Sequence, residues 1–316
     1  MDGLLQTVGE LTGATRVRID ARLQSLWGGY GELIRVNLEG AERRTAVVKW
    51  VNPPVVGGRE SSRSHARKLR SYDVELAFYR DFAARCGRGS RVAALLGCAS
   101  RGQERIVVLE DLDAAGFGAR RRDPVGPELD ACLRWLACFH ASFLGVNPAG
   151  LWHTGTYWHL ATRPDELAAM ADDALRDAAG RIDALLSACE FKTLVHGDAK
   201  PANYCFGAGE VAAVDFQYVG GGPGIKDVAY LLCGRFGAGS ARIEAQWVDV
   251  YFAHLRAALA LGGAARVASA VEAEWRALYA VACLDFYRFL AGWSMSAWSA
   301  DLHAQRFARE TLRALG

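Results

Sequence analysis

The chain has 316 residues, 51% of them hydrophobic and 23% charged, with a formal net charge of +2. That length allows two domains of ordinary size, and the apolar share excludes a disordered chain. The near-neutral balance gives no electrostatic case for a nucleic-acid or membrane partner, and no run of about 18 apolar residues predicts a transmembrane helix. Eight cysteines are scattered without a C-x-x-C pair, and Asp2, Glu10 and Arg16 break any leader-like apolar core. The sequence therefore reads as a reduced, cytoplasmic protein with inert thiols.

Alternating residues predict strands over 16–23 and 31–38, joined by a tight hairpin loop at Trp27-Gly28-Gly29-Tyr30-Gly31. A third strand, A-V-V-K-W-V, covers 46–51 and stops at Asn52-Pro53-Pro54. Residues 55–64 read as a mobile loop. Leu69, Tyr72, Leu76, Tyr79 and Phe82 share one helical face, which predicts a helix over 68–84. Further strands are expected at 92–96 and 106–109. This order predicts a small antiparallel sheet with one helix across it. After Leu109 the texture turns helical, with segments at 129–144, 164–189, 225–234, 243–261, 265–293 and 301–315. The reading is an α+β protein with an N-terminal unit, residues 1–111, and a mostly helical C-terminal unit, residues 112–316.

Between those helices lies V-H-G-D-A-K-P-A-N, in which Asp198 is followed five residues later by Asn203, and then A-V-D-F-Q, which carries Asp215. Phosphoryl transfer needs one carboxylate to take the proton of an attacking hydroxyl, and an Asn and a second Asp to hold magnesium ions on the ATP phosphates. Asp198, Asn203 and Asp215 have that order and spacing. Lys200 either neutralises charge on the transferring phosphoryl group or is a solvated loop lysine. Upstream, Gly28, Gly29 and Gly31 either bring backbone N–H groups to phosphate oxygens or form an ordinary turn. Lys49, alone in an apolar strand, either faces phosphate or faces solvent; its expected partner is Glu75, with Asp73 as the alternative. Asp227 is expected to brace the catalytic loop, His196 to fix that loop by hydrogen bonds, and His140 to be a satisfied core histidine. His153 and His159 lack a third ligand at useful spacing, so no zinc site is expected.

These segments, with L-E-D-L and the helix W-L-A-C-F-H-A-S-F, resemble the ecdysteroid-kinase-like group of the choline kinase and aminoglycoside phosphotransferase superfamily, over roughly residues 28–232. The resemblance implies a bilobal protein-kinase-like fold and ATP- and magnesium-dependent phosphorylation of a small-molecule alcohol. It makes Asp198 the base, Asn203 and Asp215 the metal ligands and Lys49 the phosphate contact. Val108, Leu109, Glu110, Asp111 and Leu112 become an adenine-binding hinge that acts through backbone groups. Gly197 stands where protein kinases carry the arginine that reads a phosphorylated activation loop. Only eleven residues separate Asp215 from Asp227, and no A-P-E follows, so a protein kinase is not expected.

From Val228 onward seven acids face nine arginines, which does not suit a polycationic aminoglycoside. Trp247, Trp275, Tyr279, Phe286, Tyr287, Trp293 and Trp298 suit an apolar pocket for a neutral alcohol, a choline cage with Asp285 as counter-charge, or simply a helix core. A nucleotide-binding protein without turnover is the reading from a different class. The sequence carries no signal of oligomeric state.

Overall fold

The computed structural model describes residues 1–54, 62–237 and 241–315. The expected mobile loop at 55–64 lies largely outside them, and its last residues open a helix.

Helix α1 (Asp2–Thr12) comes first, and the sequence reading missed it. Strands β1 (Arg16–Ser25), β2 (Gly31–Glu39) and β3 (Thr45–Val51) follow as antiparallel neighbours. Helix α2 (Ser62–Ala77) runs on into a π turn at Phe78–Phe82. Strands β4 (Leu95–Arg101) and β5 (Glu104–Glu110) complete a five-stranded sheet of order β1-β2-β3-β5-β4. The strand expected at 92–96 is displaced: Val92 makes only an isolated bridge to Ala213, and the paired strand starts at Leu95. Its pattern was hidden because Gly97 gives up a side chain to let α1 approach; a Cβ there would lie 2.8 Å from the Cβ of Leu11.

Alternation along the strands divides the sheet into two faces. Ile34, Val36, Val48, Ile106 and Val108 pack with Leu4 and Val8 of α1 on one side. Leu33, Arg35, Val47, Lys49 and Leu109 fall on the other side and line a cleft. Lys49 is opposite Leu33 on β2 and Val107 on β5, so it belongs to the cleft face by register.

The remainder is helical, built on one large core. It comprises α3 (Pro127–Ser142), α4 (Pro164–Ala169) and α5 (Asp173–Ser187), then α6 (Ile225–Leu232), α7 (Ala241–Leu261), α8 (Ala268–Trp293), α9 (Met295–Ala300) and α10 (Leu302–Leu315). The single helix expected over 164–189 is broken at Met170, which is extended, and restarts where the Asp172 carboxylate accepts from the Leu175 N–H at 3.1 Å. Two short hairpin-like pairs sit between α5 and α6. Strand β6 (Thr193–Val195) pairs with β9 (Gly220–Gly222), and β7 (Tyr204–Phe206) pairs with β8 (Val211–Ala213). Their connections carry Asp198, Asn203 and Asp215. No helix among the described residues is long and apolar enough to cross a membrane.

Candidate active site

Asp198 leaves β6 on a loop whose path only glycine permits at residue 197. Gly197 has φ +81°, and a Cβ there would lie 2.1 Å from the Tyr218 carbonyl oxygen. Asp227, at the start of α6, holds the two amides before Asp198. Its Oδ2 accepts from His196 N–H at 2.6 Å and its Oδ1 from Gly197 N–H at 2.9 Å, while His140 Nε2 lies 3.1 Å from Oδ2. The His196 ring bonds the Val214 carbonyl through Nε2 at 3.0 Å and accepts from the Asp198 N–H through Nδ1 at 3.2 Å. Burial lowers the pKa of this imidazole, which suits a neutral bracing role. His140 is fully buried and also bonds Tyr251.

The two oxygens of Asp198 have different partners. Oδ2 accepts from Lys200 Nζ at 2.7 Å and from Asn203 Nδ2 at 3.0 Å. Oδ1 faces the Tyr230 hydroxyl at 3.3 Å, and that hydroxyl lies 3.2 Å from the Tyr157 hydroxyl. Burial pushes the Asp198 pKa up to about 6, with Lys200 opposing and Asp215 reinforcing. A carboxylate poised there can accept a proton near neutral pH.

Asp215 sits at φ +69°, one of two non-glycine residues with positive φ among those described. Such a conformation persists only where its surroundings impose it. Phe216 supplies part of that by stacking on Phe78 with ring centroids 3.9 Å apart. Lys49 Nζ lies 2.6 Å from Glu75 Oε2 and 3.1 Å from Asp215 Oδ1, whereas Asp73 pairs with Arg105 at 2.7 Å. Burial alone would lower the Lys49 pKa, but Asp215 and Glu75 together hold it above the ordinary value, so the amine stays charged. Burial pushes Asp215 the other way, and Lys49 brings it below its ordinary value.

Lys49, Glu75, Lys200, Asn203 and Asp215 all line one cleft of about 440 Å³. Leu109, Glu110, Asp111 and Leu112 border it as well. The Val108 side chain turns away into the core under α1. The Glu110 side chain is engaged by Arg43, Arg91 and the Ala94 N–H, and its own backbone N–H donates to the Ala94 carbonyl at 2.9 Å. The three loop glycines do not line the cavity; Leu26 and Trp27 form that lip instead. The Gly29 N–H closes the turn onto the Leu26 carbonyl at 3.1 Å. A Cβ on Gly31 would lie 2.0 Å from the Trp50 carbonyl, so strand packing accounts for that glycine.

Two oxygens in the cleft accept no hydrogen bond from the described residues: Asn203 Oδ1, because the amide donates through Nδ2, and Asp215 Oδ2. Such a pair fits magnesium, which prefers hard oxygen ligands and takes few from protein. No cluster of three or more His, Cys, Asp or Glu side chains suited to a metal occurs among the described residues.

A family model described as "Phosphotransferase enzyme family" matches residues 33–269, which include the cleft residues from Leu33 onward but not those of the 23–31 segment. The chain belongs to that family. Across nearly its whole length this phosphotransferase superposes on a thermostable mutant of aminoglycoside phosphotransferase APH(4)-Ia, solved as a ternary complex with ADP and hygromycin B. The TM-score is 0.56 and the identity 14%, over 98% of this chain and 97% of the other. It is similar to the amicoumacin kinase hAmiN, solved with AMP-PNP, Ca2+ and Ami, at TM-score 0.54 and 14% identity over 99% and 93% of the two chains. Against choline kinase from Cryptosporidium parvum Iowa II the values are 0.52 and 9% over 94% and 87%. At these identities the likeness establishes the fold, a kinase-like one with a five-stranded antiparallel sheet beside a helical lobe. No curated protein matches the chain.

The sequence reading did not single out Tyr230 and Tyr157, which stand beside Asp198. A tyrosine three residues into the helix after Asp227 is the signal that was available. The aromatic residues it did name divide. Trp275 is fully buried against His140 and donates to the Phe191 carbonyl at 2.9 Å, so it is core. Phe286 packs on Tyr230 with centroids 4.9 Å apart, which brings it toward Asp198. Asp285 does not offer a counter-charge for choline: it is 3% exposed and already paired with Lys226 at 3.3 Å and Arg288 at 2.8 Å. Those cations, against burial, hold its pKa down to about 2.

Proposed function

We propose that this phosphotransferase uses ATP and magnesium to phosphorylate a small, neutral, largely apolar alcohol, as a cytoplasmic member of the ecdysteroid-kinase-like group. The observation that carries the reading is the aromatic surround of Asp198 Oδ1, on a side chain that is buried beside the cleft-lining Lys200 and Asn203. Among the described residues Asp198 Oδ1 accepts from the Tyr230 hydroxyl, which contacts that of Tyr157, and these are backed by Trp158, Phe286 and Phe289. An acceptor hydroxyl reaching Oδ1 would therefore lie against aromatic faces, which favour apolar bodies.

Charge points the same way. Each of the seven acids after Val228 already has a partner: Glu244 with Tyr279, Asp249 and Glu272 with Arg276, Glu274 with two backbone amides, Asp285 with Arg288, Asp301 with the Ala304 amide, and Glu310 with Arg306. A polycation brought out of water needs unpaired carboxylates.

In this reading residues 1–111 cover the nucleotide and residues 112–316 supply the base and the acceptor site. The acceptor hydroxyl gives its proton to Asp198 as its oxygen bonds the γ-phosphorus, and the bond to the ADP oxygen breaks. Lys49 holds the phosphates, and Lys200 adds positive charge beside the transferring group. Asn203 and Asp215 would hold magnesium, which neutralises charge on the β- and γ-phosphates when bound. Preassembled Lys49, Glu75 and Asp215 favour turnover over a merely nucleotide-binding protein.

The test is ADP release with a panel of alcohols: sterol-like and aromatic alcohols, choline and aminoglycosides. Turnover with an apolar alcohol at micromolar KM is expected. Micromolar KM for kanamycin or neomycin would overturn the acceptor class, and no turnover with any panel member, despite tight Mg-ATP binding, would favour a non-catalytic protein.

A further inference from the structure

The A-V-D-F-Q segment ends in Gln217 where the protein-kinase pattern D-F-G has glycine. That side chain is not idle. Its Nε2 donates to Asp215 Oδ1 at 2.8 Å, and its Oε1 lies 3.2 Å from the hydroxyl of Ser71 on α2, whose one proton it shares with the Lys68 carbonyl at 2.7 Å. Asp215 Oδ1 also accepts from Lys49 Nζ at 3.1 Å, and Lys49 is held by Glu75, again on α2. Two chains of contact thus run from one helix to one carboxylate oxygen, one turn apart on that helix. The amide orientation follows from the partner: turned over, Gln217 would set its carbonyl against an ionised carboxylate, which donates nothing.

The carboxylate needs this support. Its backbone is left-handed at φ +69°, a conformation that a non-glycine residue keeps only under external constraint. Nearby, Lys49 alone would not fix the carboxylate plane, because an ammonium is a point charge without directional preference. Two donors on Oδ1 do fix it, and they leave Oδ2 as the oxygen turned to the cleft. We infer that Gln217 is a positioning residue that orients Asp215 for the metal ion and ties that orientation to the placement of α2. The inference rests on the proposed role of Asp215 as a metal ligand.

Mn2+ binding in the presence of AMP-PNP, followed by electron paramagnetic resonance of free Mn2+, reads the effect without turnover. Gln217→Ala should weaken Mn2+ about tenfold, while AMP-PNP binding without metal stays within about twofold, because the nucleotide contacts of Lys49 remain. Gln217→Met, which keeps the volume, should behave the same, and it replaces the alanine variant if that one does not fold. Gln217→Glu is the decisive arm. It exchanges the donor for a charge beside Asp215, so positioning predicts weaker Mn2+ binding than Gln217→Ala at low metal concentration. Direct ligation by residue 217 predicts tighter binding in Gln217→Glu, and that result overturns the inference. Unchanged Mn2+ affinity in Gln217→Ala and Gln217→Met overturns it too, provided Asp215→Ala does lose the metal. If Asp215→Ala keeps the metal, the underlying reading of Asp215 fails and the inference fails with it.

Discussion

Replacing Lys200 by methionine should move the acidic limb of the kcat/KM pH profile upward. As the proposed base, Asp198 must be ionised to take a proton, and burial pushes its pKa up to about 6, so activity should rise through that pH and level off above it. Lys200 Nζ lies 2.7 Å from Asp198 Oδ2 and stabilises the ionised form; without it the carboxyl holds its proton to higher pH. The lysine side chain is 44% exposed, so the pair is screened and is given the value of a surface pair, at most about 1 kcal/mol. At 1.36 kcal/mol per pKa unit that corresponds to a rise of ~0.7 of a pH unit. Methionine keeps the apolar stem, so packing of the loop is little changed. The assay is initial rates from pH 5 to pH 9 with saturating Mg-ATP. The variant should lose more activity at pH 6 than at pH 8, and the loss that persists at pH 8 measures the missing charge beside the phosphoryl group. Superimposable acidic limbs, or a limb displaced to lower pH, would show that Lys200 does not act on Asp198 and refute the argument.

Asp198→Asn should reduce kcat by about 10²-fold or more with Mg-ATP affinity nearly intact. Because burial raises the folded-state pKa, the stabilising contribution of this carboxyl is present at low pH and is lost as pH rises through about 6; the neutral amide should therefore give an equal or higher Tm than wild type at pH 7.5, measured by calorimetry. Asp215→Ala should abolish most of the thermal stabilisation that Mg-ATP confers, and an undiminished Tm increase would remove Asp215 from the metal site. Gly197→Ala places a methyl where the Tyr218 carbonyl sits, at φ +81°, and should cost about 2 kcal/mol or more in urea unfolding; a cost under about 0.5 kcal/mol would mean that the loop shifts freely.

Much of the site was legible because its chemistry is local in sequence. Asp198, Asn203 and Asp215 fall within eighteen residues of one another, and the structure gathers them by two short strand pairs whose spacing is part of the same motif. Lys49 was legible as the one charge in an apolar strand, and register puts it on the cleft face. The sequence favours Glu75 over Asp73 as the partner of Lys49, and the two lie on different helix faces; the position of Arg105 shows why Asp73 turns outward. What the sequence concealed depends on contacts between distant segments. Helix α1 has a short apolar stripe, Leu4 and Val8, that becomes meaningful only when a sheet face needs covering. Tyr157 reaches Asp198 through Tyr230, across 73 residues of chain. The loop glycines stay open between phosphate contact and ordinary turn because composition cannot separate a close strand pair from a ligand cradle; at Gly31 a Cβ would meet the Trp50 carbonyl.

The departures from the protein-kinase pattern share one physical logic. In protein kinases the lysine–glutamate pair and the metal aspartate must both be in place for turnover, and activation-loop phosphorylation controls whether they are. Here Lys49 is joined to both Glu75 and Asp215, at 2.6 and 3.1 Å. The arginine that would read a phosphorylated loop cannot stand at residue 197, because the Tyr218 carbonyl occupies the space of its Cβ. The task of holding the loop passes to Asp227, which binds the His196 and Gly197 amides from the start of the next helix. Only eleven residues join Asp215 to that brace, and β9 pins part of them to β6. A segment so short and so tied has little freedom to order or disorder, which would hold the proposed electrostatic groups in fixed positions along the cleft. That is the condition under which preorganised charges lower a barrier without reorganising during the reaction.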